Sequence, residues 1–232
     1  MSKNKSLEEI KTLKDTITTY IKENPAKATN SGFVTYRPLL KKEKDIFVVS
    51  IMGRGATPST DTDTGMHWIA AHAAMNGCTS IVVSAHDSNR AIALKALQKL
   101  SSTTKVYIYG HSHGGDHASL LAKQYKSKTK KQVAALITLD PVDSPGPFPL
   151  TSVADKMAME KHINYYQRNA PWYGGNISTA TTNTNVSDGS IYRAWSSILL
   201  SSNENETTGI NHTTIDENLF LGGYLWWPWL KN

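Results

Sequence analysis

Apolar residues recur at helical spacing at the start of the chain. Leu7, Ile10, Leu13, Ile17 and Tyr20/Ile21 fall on one face between Ser6 and Glu23, which predicts an amphipathic helix that ends at Asn24-Pro25 and packs on the outside of the domain. After a short extended piece, Phe33 to Tyr36, the pattern becomes a repeated alternation. Continuous apolar runs (IFVVSI from Ile46, TSIVVS from Thr79, KVYIY from Lys105 and VAALITL from Val133) read as buried strands. Between them Thr64 to Asn76, Asn89 to Leu100 and Ser112 to Tyr125 carry Ala, Leu, Ile or Met at three-to-four-residue intervals and read as helices. Strands without polar alternation, separated by helices, belong to a mostly parallel sheet covered on both faces, so residues 45–140 form the regular part of an α/β fold. In such a sheet ligands bind beyond the carboxyl ends of the strands. The residues just after Ile51, Ser84, Tyr109 and Leu139 are therefore the places to look for chemistry.

Beyond Pro141 the pattern loosens. His162 to Gln167 alternates like a strand, whereas Gly174 to Ser190 and Ser201 to Gly209 are polar and read as loops. Pro141 to Met159 and Gly174 to Ser190 are candidate flaps over the active edge. The aromatic end, Tyr224 to Leu230 (YLWWPWL), reads as a terminal segment packed on the core, with a membrane-docking or acyl-binding patch as the alternative.

Composition adds exclusions. With 39% hydrophobic and 19% charged residues, the 232-residue chain has the makings of one globular α/β domain, residues 1–30 forming a helical extension. The net charge is +6, but the basic residues are scattered or in short runs (Lys41-Lys42, Lys126 to Lys131) without interleaved aromatics, which argues against a nucleic-acid partner. Cys78 is the only cysteine, so an intrachain disulfide and a cysteine-based zinc site are excluded, and its setting before an apolar strand predicts a buried inert thiol. No secretory leader and no membrane-length apolar run is visible, so the cytoplasm is the default expectation, with signal-independent export as the alternative.

One turn concentrates the chemistry. Gly110-His111-Ser112-His113-Gly114 directly follows the third core strand and directly opens the helix carrying Ala118, Leu121, Ala122 and Tyr125. Only a tight turn fits between them, and small residues at 110 and 114 let backbone segments approach closely, presenting Ser112 above the sheet edge as a nucleophile. Such a serine needs a histidine to take its proton and a carboxylate to orient that histidine, in the chain order Ser, acid, His. Asp140 closes the next strand, with Asp188 and then Asp143 as further candidates for the acid. His212, at the end of a polar loop, is the candidate base, ahead of His162. Oxyanion donors are expected from the backbone amide of His113 and from the loop after the first core strand, at Arg54 or Gly53; the Arg54 side chain is also a candidate contact for an anionic substrate group.

With Gly110-His111-Ser112-His113-Gly114-Gly115 after one strand, Leu139-Asp140-Pro141 after the next and His212 downstream, the chain resembles the α/β-hydrolase lipases. Leu-Asp-Pro is most similar to the neutral lipase and phospholipase A1 branch, although the chain lacks the disulfides and lipid-binding domain of the secreted animal enzymes and looks more like a compact microbial lipase-like protein. The resemblance implies an α/β-hydrolase fold and cofactor-free cleavage of a small-molecule or lipid ester through an acyl-enzyme, with transient contact to a membrane surface as a further expectation. Two rivals use the same residues. His111, His113, Asp116 and His117 resemble a zinc hydrolase signature with one glycine too many, and a hydrolase fold with an inactive site would serve as a binding module. His67 and His72 miss the i, i+4 spacing of a helical metal pair.

Overall fold

In the computed structural model the described residues are 7–38, 44–143, 148–168, 175–186, 210, 212–221, 225 and 227–230. The amphipathic start folds as α1 (Leu7–Glu23), followed by the edge hairpin β1 (Lys27–Asn30) and β2 (Phe33–Tyr36). The alternating part supplies β3 (Ile46–Ile51), α2 (Gly65–Met75), β4 (Thr79–Val83), α3 (Asp87–Gln98), β5 (Lys105–His111), α4 (His113–Thr129) and β6 (Ala135–Leu139). Strands β7 (His162–Tyr166) and β8 (Thr182–Asn185) and helix α5 (Ile215–Leu221) complete the frame.

The eight strands lie in the order β1-β2-β4-β3-β5-β6-β7-β8. β2 runs antiparallel to both its neighbours, and every pairing from β4 to β8 is parallel. Alternation along β5 shows how both faces are covered. Tyr107 and Tyr109 point into a core shared with Ile10 and Ile17 of α1, Met66 and Ile69 of α2 and Phe220 of α5, whereas Val106 and Ile108 join Leu97 of α3 and Leu121 and Tyr125 of α4. Parallel pairing brings the carboxyl ends of β3, β5, β6 and β7 to one edge, where residues 52, 112, 140 and 167 emerge side by side.

Some expectations need correcting. The polar tract 174–190 contains β8, whose side chains Thr-Asn-Thr-Asn are largely exposed; at a sheet edge nothing demands apolar side chains, and the strand is held by the backbone ladder to β7 together with Asn183, whose Oδ1 accepts from Asn164 Nδ2 at 2.9 Å. β1 is likewise an edge strand, and its four residues are all exposed. β6 begins at Ala135, with Val133 in an isolated bridge to Met159. At the C-terminus Trp229 is fully buried and meets Tyr109, His72 and Trp227, so the packing reading describes this part of the segment; Tyr224 and Trp226 lie outside the described residues. Cys78 is buried and desolvation pushes its thiol up to about 11, as an inert thiol requires. Among the described residues no helix is long and apolar enough to cross a membrane.

Candidate active site

The turn between β5 and α4 is built on close backbone contact. A Cβ on Gly114 would stand 2.2 Å from the Ile51 carbonyl oxygen, and one on Gly110 would stand 2.3 Å from the Gly114 carbonyl oxygen. Strand, turn and helix thus cross within four residues, which only glycine at both positions permits. Ser112 pays with its backbone, at φ 56° and ψ −129°. Asp140 is a second non-glycine residue at positive φ, 46°. Each such conformation costs on the order of 1–3 kcal/mol and persists only where the surroundings over-determine it. Here they do. The Ser112 amide donates to the Leu139 carbonyl at 3.1 Å, the Ser112 carbonyl accepts from Val142 and Gly115 at 3.1 and 2.9 Å, and the Asp140 amide donates to the Tyr165 carbonyl at 2.7 Å.

Three side chains meet at this edge. Asp140 Oδ2 lies 2.6 Å from His212 Nδ1, and His212 Nε2 lies 2.8 Å from Ser112 Oγ. An ionised carboxylate only accepts, so the neutral imidazole carries its proton on Nδ1 and leaves Nε2 bare to accept from the serine hydroxyl. Asp140 is completely buried, and Gln167, the residue after β7, holds it in place: the Gln167 amide donates to Oδ1 at 3.1 Å and its Nε2 donates to Oδ2 at 2.7 Å. Gln167 escaped the sequence reading because its role follows from β7 lying beside β6, which the chain order alone does not state.

The remaining candidates separate. Asp143 is exposed and its amide donates to the Phe148 carbonyl in the following loop; Asp188 lies outside the described residues. His162 is corrected as a base: it begins β7, at the opposite end of the sheet, where its Nε2 lies 3.0 Å from Thr138 Oγ1 and burial pushes its pKa down to about 4. The imagined zinc cluster diverges. His111 faces the His212 carbonyl at 2.6 Å, while His117 accepts from Arg90 at 2.9 Å and is driven down to about 4 by burial and that cation. Among the described residues no group of three or more His, Cys, Asp or Glu side chains is arranged to hold a metal ion.

A cavity of about 230 Å³ opens on Ser112 and His212, walled by Gly53 and Arg54 after β3, Met52, Met66 and the first turn of α5. Gly53 backs directly onto Ser112, since a Cβ there would stand 3.2 Å from Ser112 Cβ. His113 opens α4 and lines a separate cavity of about 480 Å³ with Arg54 and His117. In the first turn of α5, burial and then the neighbouring Asp216 hold the Glu217 carboxyl well above the usual range, and its Oε1 accepts from the Gly65 amide at 3.1 Å.

The fold and this edge define an α/β hydrolase. A model of the alpha/beta hydrolase fold matches residues 32–176, and the chain belongs to that family. Among solved structures it is similar to Est1E from Butyrivibrio proteoclasticus, at 19% identity over 50% of this chain and 49% of that one, with a TM-score of 0.37. It is also similar to an esterase of Pyrobaculum calidifontis (13% identity, 68% and 73% of the two chains, TM-score 0.42) and to a serine hydrolase without a lid from Xanthomonas campestris (11% identity, 71% and 87%, TM-score 0.45). The chain spans about half the length of Est1E. No curated protein matches it in sequence.

Proposed function

We propose that this α/β hydrolase is a serine esterase that cleaves carboxylic esters through an acyl-enzyme. Ser112 Oγ attacks the ester carbonyl as His212 Nε2 takes its proton, and Asp140 holds the imidazole in the tautomer this requires and stabilises the imidazolium that forms. The same imidazolium then protonates the departing alcohol, and a water deprotonated by His212 releases the acid. The observation that carries this reading is the unbroken relay of 2.6 Å and 2.8 Å hydrogen bonds from a fully buried carboxylate to a serine hydroxyl.

The tetrahedral oxyanion is assigned to the backbone amide of His113 and to that of Arg54 or Gly53, in the loop that backs onto Ser112. The chemistry calls for no cofactor. Small-molecule or lipid esters are the substrate class, and Phe148 and Met157, exposed in the segment after Asp140, are apolar groups that a membrane surface would meet. A fluorophosphonate probe followed by peptide mapping tests the reading: modification at Ser112, abolished in Ser112→Ala together with ester hydrolysis, is the expected outcome.

A further inference from the structure

We propose that His111 is a positioning residue that clamps the general base by its backbone, an inference that rests on the serine-hydrolase reading above. His111 ends β5, immediately before the nucleophile, and its side chain is 13% exposed. Its Nε2 lies 2.6 Å from the His212 carbonyl oxygen. A carbonyl only accepts, so Nε2 carries the proton and donates it. The two rings also lie side by side, with centroids 5.2 Å apart and planes tilted by 41°.

The other side of the His111 ring meets α5. Its Nδ1 lies 3.8 Å from Asp216 Oδ1, a carboxylate that is 2% exposed. That turn of α5 is seated on the start of α2: a Cβ on Gly65 would stand 2.4 Å from the Asp216 carbonyl carbon, and Glu217 accepts the Gly65 amide. One imidazole rooted in the rigid β5 strand therefore touches both ends of the stretch from 212 to 216.

The hydrogen bonds of His212 to Asp140 and Ser112 orient its ring, and the His111 donor adds a restraint on its main chain at the carbonyl. A base displaced by about 1 Å can cost roughly 10²-fold in rate, because proton transfer requires Nε2 to stay within hydrogen-bond reach of Oγ. The residue between Gly110 and Ser112 thus serves the base, while its backbone serves the nucleophile.

The test compares His111→Leu, which keeps bulk and loses the donor, with His111→Gln, whose terminal amide can still donate to the His212 carbonyl. Steady-state hydrolysis of a short p-nitrophenyl ester and thermal unfolding are measured for both, with Ser112→Ala as reference. The expected result is a kcat fall of roughly 10–100-fold in His111→Leu with KM within twofold, and recovery to within about threefold of wild type in His111→Gln at a similar Tm. Wild-type kcat in His111→Leu, or equal losses in both variants, overturns the clamp. If the leucine variant does not fold, His111→Gln decides alone: native Tm with kcat down tenfold or more refutes the proposal, and near-wild-type kcat supports it. Activity surviving in Ser112→Ala instead defeats the serine reading itself, whereas a Ser112-dependent enzyme indifferent to His111 defeats only the clamp.

Discussion

Replacing Gly114 by alanine adds one methyl where β3, the turn and α4 meet. Its carbon would lie 2.2 Å from the Ile51 carbonyl oxygen, 2.7 Å from that of Met52 and 2.8 Å from the Ile51 carbonyl carbon. All three are backbone atoms, so no side chain can rotate away, and α4 must lift off the sheet. Overpacking of this kind costs about 1–3 kcal/mol where side chains can yield, and here the upper end or more applies. For a chain of this size about 3 kcal/mol lowers Tm by roughly 6–12 °C. Because α4 begins at His113, the same displacement drags Ser112 away from His212, and kcat should fall by about 10²-fold even in the folded fraction. Gly53→Ala provides the contrast. Its Cβ would meet Ser112 Cβ at 3.2 Å and Oγ at 3.7 Å, so Tm should change by less than about 2 °C while ester hydrolysis falls through crowding at Ser112. Calorimetry and ester kinetics on the two variants separate these effects. A Gly114→Ala protein with wild-type Tm and kcat would refute the crossed-backbone account of the turn.

Two further outcomes follow from the buried polar groups. Gln167→Leu deletes the 2.7 Å bond to Asp140 Oδ2 but leaves the backbone bond to Oδ1, so urea unfolding should reveal a loss of about 2 kcal/mol, with kcat about tenfold lower and KM unchanged; unaltered stability and kcat would contradict the role given to this side chain. Burial holds His67 and His162 near pKa 4, against 6.5 when exposed, so below pH 6.5 the unfolded chain binds protons that the folded one refuses. Stability is therefore full above about pH 6.5 and is lost as pH falls toward 4, by about 2 kcal/mol for each histidine between pH 7 and pH 5. Urea titrations at the two pH values should show a smaller loss in His162→Asn than in wild type, and equal losses would rule out this source.

The middle of the sheet was legible because β3 to β6 are buried on both faces and are therefore dominated by apolar residues in short runs. Ser112 and Asp140 stood out for a related reason: each follows a strand whose carboxyl end the parallel arrangement fixes at one edge. The edge strands β1 and β8 were not legible, since exposed Lys-Ala-Thr-Asn and Thr-Asn-Thr-Asn carry no apolar pattern, and their pairing depends on which strand lies beside them. Gln167, Asp216 and Glu217 were hidden differently. Their partners, Asp140, His111 and Gly65, are distant in sequence and adjacent only once strand order and the seat of α5 are known. His162 misled for the same reason: a histidine downstream of the acid satisfies the chain order, yet its place at the start of β7 puts it at the wrong end of the sheet.

Active-site labelling of the wild-type chain tests the central claim most directly. A fluorophosphonate, which phosphonylates only an activated serine, should attach once, at Ser112, and the attachment should disappear in Ser112→Ala and slow greatly in His212→Ala. An unlabelled wild type, or a label mapped to another serine, would contradict the account.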